Sequence, residues 1–380
     1  MYSIFFNFLF WSALLLSVTL GQQCKDDQGQ PVDWFYGFKP PILSYQKNFY
    51  LRKGLGFIYL SSKNSTTNWK LSLKSVNDSN SFLGRTLEPL YNSSSSEGIL
   101  HLLYNDEPPS TPGSVSYGHS KGVVMSDGKM GLWLVHSTPK FPIEPVTINK
   151  ITTSAGIIGR EIKNKYFFPK TALKYGQSFL CITLPPTQIN NLGSSLQYVR
   201  PKIYSHNVPP HLETKFSNIV DLVQKKLVIK YPYYKKLNLT TIGGRNFVSY
   251  VKSREFGKDL YSDWLSQDLQ SDLQVETWSN GPNELPSDCN NKYHVMDVKE
   301  IEMRTIDDYV IKLKNSQDHS KWAISNSNST MICVGDINRM QSQFKRGGGT
   351  LCYKNYFVWK KYVKSVIDLQ PCVYKGRPLL

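Results

Sequence analysis

The chain has 380 residues, 40% of them apolar, with 45 Lys and Arg against 29 Asp and Glu and a formal charge of +16. That apolar content is enough for a sizeable core and excludes wholesale disorder, and the length admits one large domain or two of moderate size. So large a cationic surplus favours a polyanionic partner: nucleic acid, heparin-like glycans or anionic lipids.

The first 20 residues carry no charge and are dominated by Phe5, Phe6, Phe8, Leu9, Phe10, Trp11, Leu14, Leu15 and Leu16, with the small residues Thr19 and Gly21 next. Residues 1–21 read as a secretory signal peptide, although no Lys or Arg precedes the apolar run. An uncleaved membrane anchor is the alternative reading of the same segment. No later segment is apolar enough to span a bilayer, so the mature chain is expected to be soluble. Cys24, Cys181, Cys289, Cys333, Cys352 and Cys372 are widely spaced, with no C-x-x-C pair to suggest zinc. An even number in an exported chain implies three disulfides, whose pairing the sequence leaves open. N-glycosylation sequons begin at Asn64, Asn77, Asn92, Asn238 and Asn328 and mark exposed loops. The Ser- and Asn-rich stretches 64–80 and 93–96 fit such loops.

Gly122–Ser126 and Met130–Val135, joined by a turn that contains Asp127-Gly128, predict a β-hairpin. Pro201 and the stretch Asn207–Pro210 mark the best boundary, dividing the mature chain into halves 22–205 and 206–380. Helical spacing follows at Phe216, Ile219, Val220, Val223 and Leu227, and more weakly at Leu260, Trp264 and Leu265. Trp322–Ile324 and Met331–Val334 read as strands, and Ile337–Phe344 as a helix. Strands mixed with helices predict a layered α/β architecture. The run Lys345–Thr350, with three glycines, reads either as a phosphate cradle or as a flexible surface turn. It is not a P-loop.

Within this pattern the tripeptide His-Ser-Lys occurs twice, at 119–121 and 319–321, 200 residues apart and once in each half. Alternate residues of a strand share a face, so each copy offers an imidazole beside an ammonium. Phosphodiester cleavage needs a nucleophile at phosphorus, a proton for the leaving oxygen and cations for the developing charge. His119, Lys121, His319 and Lys321 supply all of these without a metal or other cofactor. One imidazole would attack and the other would act as acid and then base, which requires their protonation states to differ. Which is which stays open. His136, at the end of the paired hairpin strand, is a candidate fifth member or a structural histidine. His101, His206, His211 and His294 are taken as surface or structural. No metal-ligand cluster and no Gly-x-Ser-x-Gly elbow stands out.

Several of these segments resemble the deoxyribonuclease II family. They include Gly29-Gln-Pro-Val-Asp-Trp34, Tyr117-Gly-His-Ser-Lys-Gly-Val123, Gly131-Leu-Trp-Leu-Val-His-Ser137 and Tyr175-Gly-Gln-Ser-Phe179. The second half adds Asp318-His-Ser-Lys-Trp-Ala323, Asn338-Arg339 and Arg346-Gly-Gly-Gly349. The resemblance implies a phospholipase D-like fold of two pseudo-symmetric halves with the active site at their interface. It also implies a metal-independent acid endonuclease that leaves 3′-phosphate and 5′-hydroxyl ends, lysosomal or secreted. By resemblance, His119, Lys121, His319 and Lys321 match the family's catalytic pairs and His136 its additional histidine. Cys24–Cys181, Cys289–Cys372 and Cys333–Cys352 are the bridges it implies. Ser120 stands where Thr is common, and Asp127 lies one residue later than in the broader phospholipase D pattern. The expected partner is DNA, bound through its backbone with little sequence preference; a homodimer is left open. The alternatives are a non-catalytic secreted polyanion- or DNA-binding protein, and a lipid phosphodiesterase, which suits a +16 chain poorly.

Overall fold

A computed structural model describes residues 21–92, 97–145 and 165–372. Residues 1–20 of the segment 1–21, read above as a signal peptide, and the Ser run 93–96 lie outside the described residues. Two sheets organise the chain. The first holds β1 (Trp34–Lys39), β2 (Ile58–Ser61), β3 (Lys70–Leu71), β4 (Leu100–Asn105), β5 (Lys121–Ser126), β6 (Gly131–His136), β7 (Gln177–Leu184) and β8 (Ile203–Asn207). Its order is β3-β2-β1-β7-β6-β5-β4-β8, antiparallel throughout.

The second sheet holds β9 (Tyr234–Thr240), β10 (Asn246–Lys252), β11 (Leu273–Glu276), β12 (Val295–Arg304), β13 (Val310–Lys314), β14 (Trp322–Ser325), β15 (Met331–Gly335), β16 (Gly348–Lys354) and β17 (Val366–Leu369). The order is β13-β12-β11-β14-β15-β16-β10-β9, with β17 on β12, and the β11–β12 pair is parallel. The boundary drawn at 205/206 falls inside β8. The predicted hairpin is β5–β6, closed by the four residues Asp127–Met130.

Period-two alternation explains the layering. Trp34 and Tyr36 of β1, Trp133 and Val135 of β6, and Leu180 and Ile182 of β7 face a cluster shared with Trp322 and Ile324 of β14 and Ile332 and Val334 of β15. That cluster lies between the sheets and takes in the helices Pro186–Val199 and Tyr356–Ser365. The intervening residues face outward layers of their own. Phe35, Leu132, Leu134 and Phe179 pack on the helix Phe82–Tyr91, and Ala323, Cys333 and Cys352 pack on Leu260–Leu265. Strands apolar on both faces read as continuous apolar runs, as Met331–Val334 does.

Cys24–Cys181, Cys289–Cys372 and Cys333–Cys352 are bonded, the pairing that the resemblance implied. Phe216–Val223 is helical near its predicted place, as Ser217–Val223. The weaker spacing at Leu260–Leu265 forms a π turn, Tyr261–Leu265, that runs into Ser266–Leu269. Ile337–Phe344 departs from expectation, because its helical part is the short 3₁₀ turn Gln341–Lys345. Arg339 is held instead in a buried ion pair with Asp297 at 2.7 Å, and its backbone N–H and C=O bond to Thr277 and Leu285. No helix among the described residues is long and apolar enough to cross a membrane.

Candidate active site

The two His-Ser-Lys copies occupy matching places. Lys121 opens β5, and Lys321 immediately precedes β14; each strand is hairpinned to the next one, β6 and β15. The histidines lie just outside their strands, because their backbones bond across the junction of the halves. The His119 amide donates to the Gly347 carbonyl at 2.8 Å, and the His319 amide to the Gly176 carbonyl at 3.0 Å. Each half thus holds the other half's histidine. Side chains at Gly118 or Gly347 would collide with the Val199 carbonyl, so both close approaches require glycine. The run 345–350 is therefore neither an open cradle nor a mobile turn. Its glycines are buried in the seam and continue into β16.

His119, Ser120, Lys121, His136, Ser137, Lys321, Gly335 and Asp336 line one small cleft. Nδ1 of His119 lies 2.6 Å from the Asp336 carbonyl oxygen. A carbonyl only accepts, so Nδ1 carries the proton and Nε2 of the neutral ring holds the free lone pair. Nε2 is 3.9 Å from Asp106 Oδ2. Asp106, just beyond β4, also pairs with Lys121 Nζ and, at 3.1 Å, with Arg346 of the second half. Burial would raise the Asp106 pKa, but Lys121, His119 and Arg346 outweigh it and hold the carboxylate well below its usual range. Burial, reinforced by Lys121, Lys321 and Arg346 against Asp106, keeps His119 well below an ordinary imidazole. Asp336 is pushed up to about 7 by burial.

His319 is held differently. Its ring stacks on Tyr175 of the first half at 4.4 Å and 19°, with Trp278 at 4.8 Å on a tilted plane. Burial first, then Lys321, Lys121 and Lys39, lower its pKa to about 3. Lys321 donates to the His319 carbonyl at 2.6 Å. Burial and the charge of Lys121 push Lys321 down to about 8. Beneath it lie two buried carboxyls, Glu276 and Asp318, both raised by burial. Asp318 accepts from the Ser320 amide and hydroxyl.

His136 joins the cleft from β6. Its Nδ1 accepts from the Thr138 amide at 3.2 Å, so the neutral ring carries its proton on Nε2. It packs edge-on to Phe141 and stacks near Phe179, and burial with Lys121 lowers its pKa to about 3. Asp127 stands apart from the cleft: its carboxylate accepts from Lys129 and Met130 in the hairpin turn. Asn77, Asn92 and Asn328 are exposed in loops, and Asn238 is exposed within β9 rather than in a loop. Asn64 is half-buried, its Oδ1 accepting from Ser61.

Sequence reasoning missed Asp106, Asp336, Glu276 and Trp278. Asp106 and Asp336 each follow an apolar strand that ends at the site, a signal that could have found them. Among the described residues no group of three His, Cys, Asp or Glu side chains is gathered to hold a metal ion.

The fold and the site together define a two-sheet α/β protein with a cationic, histidine-containing centre where its halves meet. The family model for deoxyribonuclease II matches residues 23–372. The chain is 35% identical to plancitoxin-1 of Acanthaster planci over 364 residues, covering 95% of each chain. It is 35% identical to deoxyribonuclease-2-alpha of Mus musculus over 368 residues, covering 96% of this chain and 98% of that one. A yeast tyrosyl-DNA phosphodiesterase structure overlaps with a TM-score of 0.26 at 9% identity, over 64% of this chain and 68% of that one, too weak a match to bear on the fold. The chain belongs to the deoxyribonuclease II family.

Proposed function

We propose that this protein is an acid endodeoxyribonuclease that hydrolyses DNA phosphodiesters without a metal, through a phosphohistidine, leaving 3′-phosphate and 5′-hydroxyl ends. The observation that supports this reading is the approach of the two His-Ser-Lys copies across the seam: Lys321 lines the cleft with His119 and Lys121, His319 stands outside that lining, and each lysine's charge bears on the other half's imidazole. The neutral Nε2 of His119 attacks phosphorus while His319 gives its proton to the departing 5′ oxygen. The 3′-phosphoryl group is then on His119, and His319 takes a proton from the water that releases it. Lys121, Lys321 and Arg346 stabilise the equatorial oxygens.

Acid conditions suit this centre. Lowering pH protonates Asp336 and removes its negative charge, burial favours a neutral Glu276 in the same direction, and Lys121, His119 and Arg346 keep Asp106 ionised. Cations then outnumber carboxylates, which favours an anionic diester. A bound diester in turn raises both imidazoles, and the aromatic faces of Tyr175 and Trp278 favour an imidazolium at His319. Three disulfides fit export, and lysosomal or secreted residence follows as part of the same proposal.

The test is digestion of plasmid DNA at about pH 5 in excess EDTA, with acid-quenched samples examined for a phosphorylated histidine. His119→Ala is expected to form no adduct, and His319→Ala to form it far more slowly, because the group that protonates the departing 5′ oxygen is gone. DNA binding without cleavage at any pH from about 4 to 8 would instead support the non-catalytic polyanion-binding alternative.

A further inference from the structure

A groove abuts the site on its His119 side. Tyr117 and Gly118 line it immediately before His119, and Gly347, which accepts from the His119 amide, lines it opposite. Arg200, Arg254, Lys345 and Arg346 line the same groove against one carboxylate, Glu255. The Arg200 guanidinium lies over the Tyr117 ring at 5.7 Å.

The outer wall is Leu227–Ile229, tethered where the Val228 amide donates to the Gln197 carbonyl at 3.3 Å. Beyond that tether, Ile229 and Tyr231 are 73% and 78% exposed and flank Lys230. No Asp or Glu occurs between Asp221 and Glu255, a stretch that contains Lys225, Lys226, Lys230, Lys235 and Lys236. Exposed aromatic and basic side chains in alternation, beside a cationic groove, combine phosphate pairing with base stacking.

We propose that the exposed cations on the rim of this crevice, Arg200, Arg254 and Lys345, and the loop 229–233 hold an unpaired DNA strand leading away from the scissile phosphate, with those cations on phosphates and Tyr231 stacked on a base. The proposal rests on the nuclease reading for its substrate. A sulfated glycan would use the cations but has no base to stack on Tyr231. A lipid surface would use the protruding Ile229 and Tyr231 and would bind as anionic vesicles in place of the oligonucleotide.

The test measures fluorescence anisotropy of a labelled single-stranded oligonucleotide in the His119→Ala background, with added Lys230→Ala/Arg254→Ala or Tyr231→Ala. The double charge variant is expected to reduce the slope of log affinity against log salt by about 1.4. Tyr231→Ala is expected to weaken oligonucleotide binding roughly tenfold while leaving binding of a heparin fragment unchanged. Unchanged oligonucleotide affinity and slope would overturn the proposal. So would loss of anionic-vesicle or heparin binding with oligonucleotide binding intact.

In the otherwise native chain, the same substitutions are expected to leave hydrolysis of bis(p-nitrophenyl) phosphate unchanged. Loss of that activity would show that the groove is not separate from the reacting centre. Groove-dependent oligonucleotide binding by a chain that cuts neither DNA nor the small diester would sink the nuclease reading and leave the groove standing.

Discussion

The His119 imidazole and the Asp336 backbone lie 217 residues apart in the chain, and Nδ1 of the one meets the carbonyl oxygen of the other at 2.6 Å. The nitrogen left for chemistry on the first half's histidine is therefore chosen by the second half. In ¹⁵N spectra the neutral form of His119 should be the Nδ1–H tautomer, and it should persist to lower pH than in an ordinary imidazole, because burial lowers its pKa. An Nε2–H tautomer would contradict the assigned geometry.

Asp106 is the counter-charge for Lys121 and Arg346, all three nearly buried. Asp106→Asn leaves two cations uncompensated in the seam and should cost about 3 kcal/mol in urea unfolding. It should also lower His119 basicity further, because the carboxylate that favours its imidazolium is gone.

His136 gives stability a definite dependence on pH. An unfolded chain takes up its proton near 6.5, whereas the folded chain does so only at about 3. Between those values the unfolded state binds more protons, so stability falls as pH falls, by about 1.4 kcal/mol per unit for this one group. His136→Phe should flatten the loss measured between about pH 6 and pH 4. An unchanged slope would show that His136 titrates normally.

Substrate should draw protons into the site. Burial and neighbouring cations favour the neutral form of both imidazoles of the proposed mechanism in the free protein, and a phosphodiester anion between Lys121 and Lys321 raises them. Calorimetry of a non-cleavable DNA analogue in buffers of different ionisation enthalpy should show net proton uptake, with affinity rising as pH falls from about 7 to about 5. Zero uptake would rule out this linkage.

Cys333 and Cys352 face each other across β15 and β16, closing a loop with a separation of 19 residues. Replacing both by Ala should cost about 3 kcal/mol through the unfolded state. Neither cysteine lines the cleft, so folded protein should keep its activity. Thermal unfolding read alongside DNA cleavage checks both halves of that statement.

Much of the site was legible because its chemistry is carried by short local words. His119, Lys121, His319 and Lys321 announce an imidazole and a cation apiece, and β-prone runs beside them place both copies at strand entrances. Apolar alternation in β5, β6, β14 and β15 likewise follows from the sequence, since burial of one face obeys a period of two. Ile337–Phe344 was misread because local apolar spacing cannot register the distant pull of Asp297 on Arg339. The glycine run was misread for a related reason. Its glycines answer to the Val199 backbone from another part of the chain.

The sequence by itself determined the inventory: two His-Ser-Lys units, six cysteines, a cationic surplus and two sets of strands. Tertiary structure alone decided how the units differ. His119 is held by a hydrogen bond to Asp336 and His319 by stacking on Tyr175, each from the opposite half. It also decided which carboxyls stay charged, because burial and neighbouring cations depend on distance in space, and the sequence records only distance along the chain.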